Sequence, residues 1–373
     1  GWLNEKMGDK NLANSYYASG AAASTDYAFP FRFETLEILE AALQYNSEDA
    51  RAWYYMGNIL YDHQPDKAIA CWEQSVEIDS SLAIAHRNLG WAFYRWKEDI
   101  PGAITYYEKA MEINQNDPRY FYELDVLYEM NNEALIKRLQ LFSSNPTVVK
   151  ERNDSYLREI EVLLLNGSYD SAISRLTDHT FLRQEGVVRL HDFFVDAHLL
   201  KGRELLQTGQ DDEAMKHFLL ADSYPDNQKI GRISNYSKGA QIYYFTGLAF
   251  QELNQRSKAQ SFFKKAVEVP VDHSEYLYYR ALSQKELGLD EEARLSSASL
   301  VKSGEEALEK AGETDFFAKF GERAGGDQRR ASAYYLVALG YQSSGEGEKA
   351  QKAFEKALEL HNSILWAHVY TNQ

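Results

Sequence analysis

Between residues 52 and 118 the chain states one phrase twice, AWYYMGNILYDHQPDKAIACWEQSVEIDSS and then LAIAHRNLGWAFYRWKEDIPGAITYYEKAMEINQNDP. Each copy has an aromatic-rich helical segment with a central glycine, a short turn, a second helical segment with alanines, and a closing turn. Gly57 returns as Gly90 and Ala68 as Ala103, offsets of 33 and 35 residues. A period near 34 residues in this order is a helical-hairpin repeat. One such hairpin cannot bury its apolar face alone, so the chain must stack its copies into a solenoid.

Further copies follow the same order with less fidelity. Residues 120–146 and 154–178 form two loose units. Asp125 stands where the first unit's glycine should be, and Gly167 supplies the turn of the second. Three later segments keep a strict interval: Gly202, Gly247 and Ala281 each precede Ala214, Ala259 and Ala293 by twelve residues, and Ala338 precedes Ala350 likewise. At the start, Gly8, Ala13 and Tyr17 fit the second half of an interrupted copy, and residues 30–46 read as one helix with Pro30 in its first turn. The stretch 181–194 is longer than a repeat turn and predicts a change of stacking. Residues 303–330 break the rhythm and predict one or two short extra helices with a loop. Residues 363–370 predict a terminal helix that covers the last exposed groove.

The expected architecture is therefore all-α: a right-handed superhelix of about eight hairpins, some of them degenerate. Residues 1–180 form an N-terminal array whose first repeat is truncated. Residues 181–373 form a C-terminal array with an insertion near 303–330 and a capping helix. The chain opens on Gly1-Trp2 rather than on Met, and the expectation is of an excised piece of a longer protein.

The repeat is explained by packing. Two helices approach closely only where side chains are small, which is the use of Gly57, Gly90, Gly202 and Gly247 despite about 1 kcal/mol of lost helix propensity each. Bulky neighbours along the same helix, Trp53 and Leu60 or Tyr243 and Phe250, are expected to fill the space above and below. On the second helices Ala68/Trp72, Ala103/Tyr107, Ala259/Phe263 and Ala350/Phe354 alternate small and large at i, i+4.

This phrase resembles the tetratricopeptide repeat, whose superhelix takes peptides or partner domains on its concave face. The strings FPFR (29–32), YYMGNILYD, RNLGWAFY, YELDVLYE and RQEG also look like the repeat region of a bacterial family with a large N-terminal domain of unknown function. The resemblance implies that the first helix of each hairpin lines the groove. Projecting that face picks out Arg51, Tyr54, Asn58 and Tyr61 from one repeat. The next gives Arg87, Asn88, Trp91, Tyr94 and Arg95, and the third Arg119 and Tyr122. Arginine and aromatic residues together are frequent binding anchors. Some such arrays clamp a peptide carboxylate with two Asn and several basic residues. Asn58, Asn88 and Arg119 match three of those positions, whereas Tyr54 and Glu123 occupy two that should be basic.

Other chemistry is poorly served. A formal charge of −16 without a polybasic run argues against nucleic acid or an anionic membrane as the main partner. No apolar run approaches the ~20 residues of a membrane span. No phosphate loop, GxGxxG or GxSxG is present. His191 and His198 share a helix face two turns apart, about 10 Å, too far for one metal ion. Glu185, beside Gly186, reads as a helix cap, and the lone Cys71 as a buried, inert thiol. No cofactor and no catalytic residue is expected. The leading expectation is a scaffold that binds a protein or peptide, its own N-terminal domain included, in the groove. The alternative is an accessory domain that positions an upstream catalytic domain, for instance a carbohydrate-active one. A glycan or small molecule in the aromatic groove is a third reading. Compartment and oligomeric state are left open.

Overall fold

Aspartate and proline start several helices of the first unit. Asp49 accepts from the amides of Arg51 and Ala52, Asp99 from Gly102 and Asp117 from Arg119, while Pro65, Pro101 and Pro118 sit in first turns. The computed structural model describes residues 1–26, 28–181, 188–271, 274–311 and 326–371. Every regular element among them is helical. In chain order they are α1 (Trp2–Lys6), α2 (Lys10–Ala22), α3 (Thr35–Tyr45), α4 (Ala50–Leu60), α5 (Pro65–Ile78), α6 (Ala83–Ala92), α7 (Ile100–Ile113), α8 (Pro118–Met130), α9 (Leu135–Ser144), α10 (Pro146–Val149) and α11 (Asn153–Leu165). They continue as α12 (Tyr169–Asp178), α13 (Val188–Gln207), α14 (Asp211–Ala221), α15 (Gly239–Glu252), α16 (Arg256–Glu268), α17 (Leu277–Glu286), α18 (Asp290–Lys310), α19 (Gly326–Ser344), α20 (Gly347–Leu360) and α21 (Leu365–Thr371). A π turn, Phe93–Lys97, extends α6 and ends where Glu98 takes a left-handed φ of 53°.

The protein is an α-solenoid with two compact units: Gly1–Glu133 with Leu141–Ser155, and Ala134–Gln140 with Tyr156–Gln373. In unit 1, α4 packs on α5 and α6 on α7. In unit 2 the pairs are α13/α14, α15/α16, α17/α18 and α19/α20. The glycines do more than thin the first helices. A Cβ placed on Gly90 would lie 2.5 Å from the Tyr107 ring, and one on Gly247 would lie 2.5 Å from Phe263. Gly57 faces Trp72 and Gly202 faces Phe218 in the same way. The large residue of each second helix thus lies against the glycine of its own first helix. That aromatic, rather than neighbours along the glycine's own helix, closes the space.

Three local expectations are corrected. Pro30 lies in an irregular stretch before α3, which begins five residues later at Thr35 and buries Leu39 and Ala42. The second half of the 181–194 stretch belongs to α13, because Leu190, Phe193, Phe194 and Ala197 are buried at helical spacing; Gln184, Glu185 and Gly186 lie outside the described residues. Residues 303–310 are no separate helix. They continue α18, where Gly304 lets α19 approach: a Cβ there would meet Val337 at 2.6 Å and the Ala333 carbonyl at 2.8 Å. Gly340 reciprocates against Val301 at 2.6 Å. Residues 312–325 lie outside the described residues.

In unit 2 the last helix lies across the first helices. Trp366 of α21 stacks on Phe245 of α15 at 5.7 Å and meets Tyr279 of α17 edge-on at 6.3 Å. Tyr370 shares a 2.8 Å hydroxyl hydrogen bond with Tyr279 and packs on Tyr278. Ser363, just before α21, accepts a hydrogen bond from buried Arg138 at 3.0 Å.

Candidate functional site

In unit 1 the residues picked out from the sequence fall on α4, α6 with its π turn, and α8. The helices are tied together by side-chain amides. Asn88 Nδ2 donates to Asn58 Oδ1 at 3.0 Å, and that oxygen also accepts from Trp72 Nε1 at 3.0 Å. Asn58 therefore anchors its own hairpin while gripping the next one. Tyr54 is only 3% exposed, so it supports this face from beneath and is not available as an anchor upon it.

The arginines are largely committed to the protein. Arg87 forms a two-pronged pair with Glu123 of α8, Nε to Oε2 at 2.9 Å and Nη2 to Oε1, and leans its guanidinium over Trp91. Tyr107 donates to the same Glu123 oxygen at 2.9 Å. Burial by itself would lower the Arg87 pKa, but the Glu123 carboxylate outweighs it and raises it. Arg119 pairs with Asp117 at 2.9 Å, which raises the arginine's pKa and lowers the aspartate's against its burial. Arg51 donates to the Ala21 carbonyl at 2.8 Å. Glu123 is thus a structural counter-ion: two guanidiniums that read as binding cations, Arg87 and Arg119, are neutralised in place, and Arg51 is tied to a backbone carbonyl.

The aromatic residues remain. Trp91 and Tyr94 pack at 5.7 Å, and both are half-buried. Arg95 lies over Trp96 at 5.7 Å, and Tyr61 touches both Trp72 (5.3 Å) and Trp96 (6.2 Å). Tyr122 is half-buried on α8. Trp96, 46% exposed, was not among the residues read from sequence. It reaches this surface because the π turn Phe93–Lys97 widens the last turn of α6 and re-aims the residues on it; such turns often accompany functional sites.

The histidines are occupied elsewhere in unit 2. His198 Nδ1 meets His217 Nδ1 at 2.9 Å, while His191 contacts Gln228 and stacks on Tyr224 at 4.0 Å between ring centres. Among the described residues no three His, Cys, Asp or Glu side chains are grouped to hold a metal. Cys71 is buried, and that burial pushes its pKa up to about 11. No described helix is long and apolar enough to cross a membrane.

The family model described as tetratricopeptide repeat matches residues 240–270 and 331–363, which take in most of α15/α16 and α19/α20. Those two stretches are tetratricopeptide repeats. Solved structures similar to it include YrrB, a TPR protein with an unusual peptide-binding site, at 19% identity, covering 64% of this chain and 95% of that one with a TM-score of 0.35. MamA matches at 15% identity over 70% of this chain and 93% of its own, with a TM-score of 0.24. The human IFIT1 dimer with PPP-AAAA matches at 14% identity over 96% and 81%, with a TM-score of 0.32. The glycine-on-aromatic contact of Gly247 and Phe263 recurs in unit 1 as Gly57/Trp72 and Gly90/Tyr107.

Proposed function

We propose that this tetratricopeptide-repeat chain is a protein- or peptide-binding scaffold without catalysis of its own, and that unit 1 takes its partner on the α4–α6–α8 face. The observation that supports this most is the Asn88–Asn58 hydrogen bond beside the half-exposed Trp91, Tyr94 and Trp96. It gives a rigid surface in which amide groups alternate with aromatic rings. Such a surface suits main-chain hydrogen bonds and apolar side chains of a bound segment. With Arg87 and Arg119 in ion pairs and Arg51 bonded to a backbone carbonyl, contact area and hydrogen bonding carry recognition here, more than free positive charge.

A photo-crosslinking residue placed at Trp96 and irradiated in lysate of the source cells tests this. It should trap a polypeptide, and replacing Trp91 and Tyr94 by Ala should cut the yield by about tenfold, as loss of aromatic anchors does. Equal yield from a crosslinker at Glu77, an exposed position on the second helix α5, would overturn the placement.

A further inference from the structure

The guanidinium of Arg203 on α13 rests on three aromatic rings at once. It lies 5.7 Å from the ring centres of Phe245, Trp366 and Tyr370. Aromatic faces hold a cation but leave its charge and its N–H fork unspent. The carboxylates nearest in the chain are already taken: Lys201 pairs with Asp170 at 2.8 Å and with Glu204 at 2.7 Å. Among the described residues, Arg203 has no ion pair or hydrogen bond of its own. It opens instead into a pocket of about 450 Å³ within unit 2, with Leu164, Leu200, Leu365 and Val369 as apolar wall and Asn166 at the rim.

From this geometry we infer that the pocket is a binding site for a monocarboxylate with an apolar body. A planar guanidinium matches a carboxylate with two parallel hydrogen bonds, and a half-buried one gains more from that pair than a surface lysine would. Charge stoichiometry selects the class. The single guanidinium fork accepts one planar carboxylate, with Glu204 of the same wall held by Lys201, whereas a phosphate dianion needs further positive groups that the lining lacks. The leucine and valine wall takes the aliphatic or aromatic remainder of the ligand. Both a free organic acid and the apolar C-terminal residue of a peptide carry this chemistry. The site is built partly by α21, since Trp366 and Tyr370 form two of the three rings beneath the guanidinium.

Calorimetric titration of the full chain decides the matter. Phenylacetate and N-acetyl-leucine are the probes, with phenylacetamide and N-acetyl-leucinamide as uncharged controls. At least one acid should saturate with a Kd of about 1 mM, the range open to a small ligand held by one ion pair and a little apolar contact. Its amide should bind at least about tenfold more weakly, as should the acid to Arg203→Gln or Arg203→Lys. Asn166 is exposed, so Asn166→Glu leaves packing untouched and sets a competing carboxylate at the rim. It should weaken binding by a similar factor, and it decides the question if the Arg203 variants fail to fold. Tighter binding of N-acetyl-leucine than of phenylacetate marks a peptide C-terminus as the source, and the reverse marks a free acid. Absence of saturation with either acid, amides that bind equally, unchanged affinity in the folded variants, or tighter binding of inorganic phosphate would each overturn the assignment.

Discussion

Asp196 of α13 and Lys238 at the start of α15 form an ion pair almost wholly out of water, Nζ to Oδ2 at 2.8 Å with side chains 9% and 5% exposed. The second carboxylate oxygen accepts from Trp366 Nε1 at 2.8 Å, so one buried charge ties α13, α15 and α21. Removing one partner strands the other. Lys238→Met should destabilise the protein by about 3–5 kcal/mol, while the double change with Asp196→Asn should recover much of that loss. Urea denaturation of the single and double variants measures both. A single variant within about 1 kcal/mol of the parent would show that the pair contributes little.

The His198–His217 contact predicts an acid-sensitive fold. Burial, helped by His217, pulls the His198 pKa down to about 4 from an ordinary 6.5, so the native state favours the neutral ring. Its contribution to stability is full above pH 6.5, where both states are neutral. It is lost as pH falls from about 6.5 towards 4, because there the unfolded chain binds a proton that the native one resists. The limiting effect is about 3 kcal/mol, and His217 and His191, also lowered by burial, act in the same direction. Denaturation midpoints at pH 7.5, 6 and 5 should fall in that order, with a shallower slope in His198→Leu. Parallel slopes would exclude this pair as the cause.

The glycine-on-aromatic contact makes an unusual demand on helix propensity. Gly247→Ala would ordinarily stabilise a helix by about 1 kcal/mol. Here the added methyl meets Phe263 at 2.5 Å, so net destabilisation of about 1–3 kcal/mol is expected. Pairing it with Phe263→Leu should give a favourable coupling in a double-mutant cycle. Additive losses would mean that the ring is not what the methyl strikes.

Arg87 and the aromatic residues should separate stability from binding. Arg87→Met leaves the Glu123 carboxylate without its cation, held by Tyr107 alone, at a half-buried site, for a loss of about 1–3 kcal/mol in thermal or urea unfolding. Crosslinking from Trp96 at temperatures well below the midpoint should change little. Trp91→Ala should do the opposite. If Arg87→Met abolishes capture while the fold holds, the guanidinium reaches the partner after all.

Much of the fold was legible in local pattern. Gly8, Ala13 and Tyr17 announced α1/α2, and the Gly/Ala intervals announced the hairpins, because a close helix contact requires small residues at one helical phase whatever lies beyond it. Even the π turn left a trace: Gly90 and Ala103 are thirteen residues apart where four later hairpins have twelve, and one extra residue is what such a turn absorbs. The groove face was legible only as a set of positions. Arg87 and Glu123 lie 36 residues apart, so their pairing turns on how one hairpin is rotated against the next.

Periodicity along the chain therefore determined the repeat, its small and large residues, and which helices come first in each hairpin. Tertiary structure decided which charges are spent. It buried Tyr54, closed Arg87 onto Glu123 and Arg119 onto Asp117, and laid α21 across unit 2 so that Trp366 meets Asp196 from 170 positions away. The physical reason is range. Helix and turn preferences act within a few residues, whereas desolvation and ion pairing depend on neighbours that only stacking brings together.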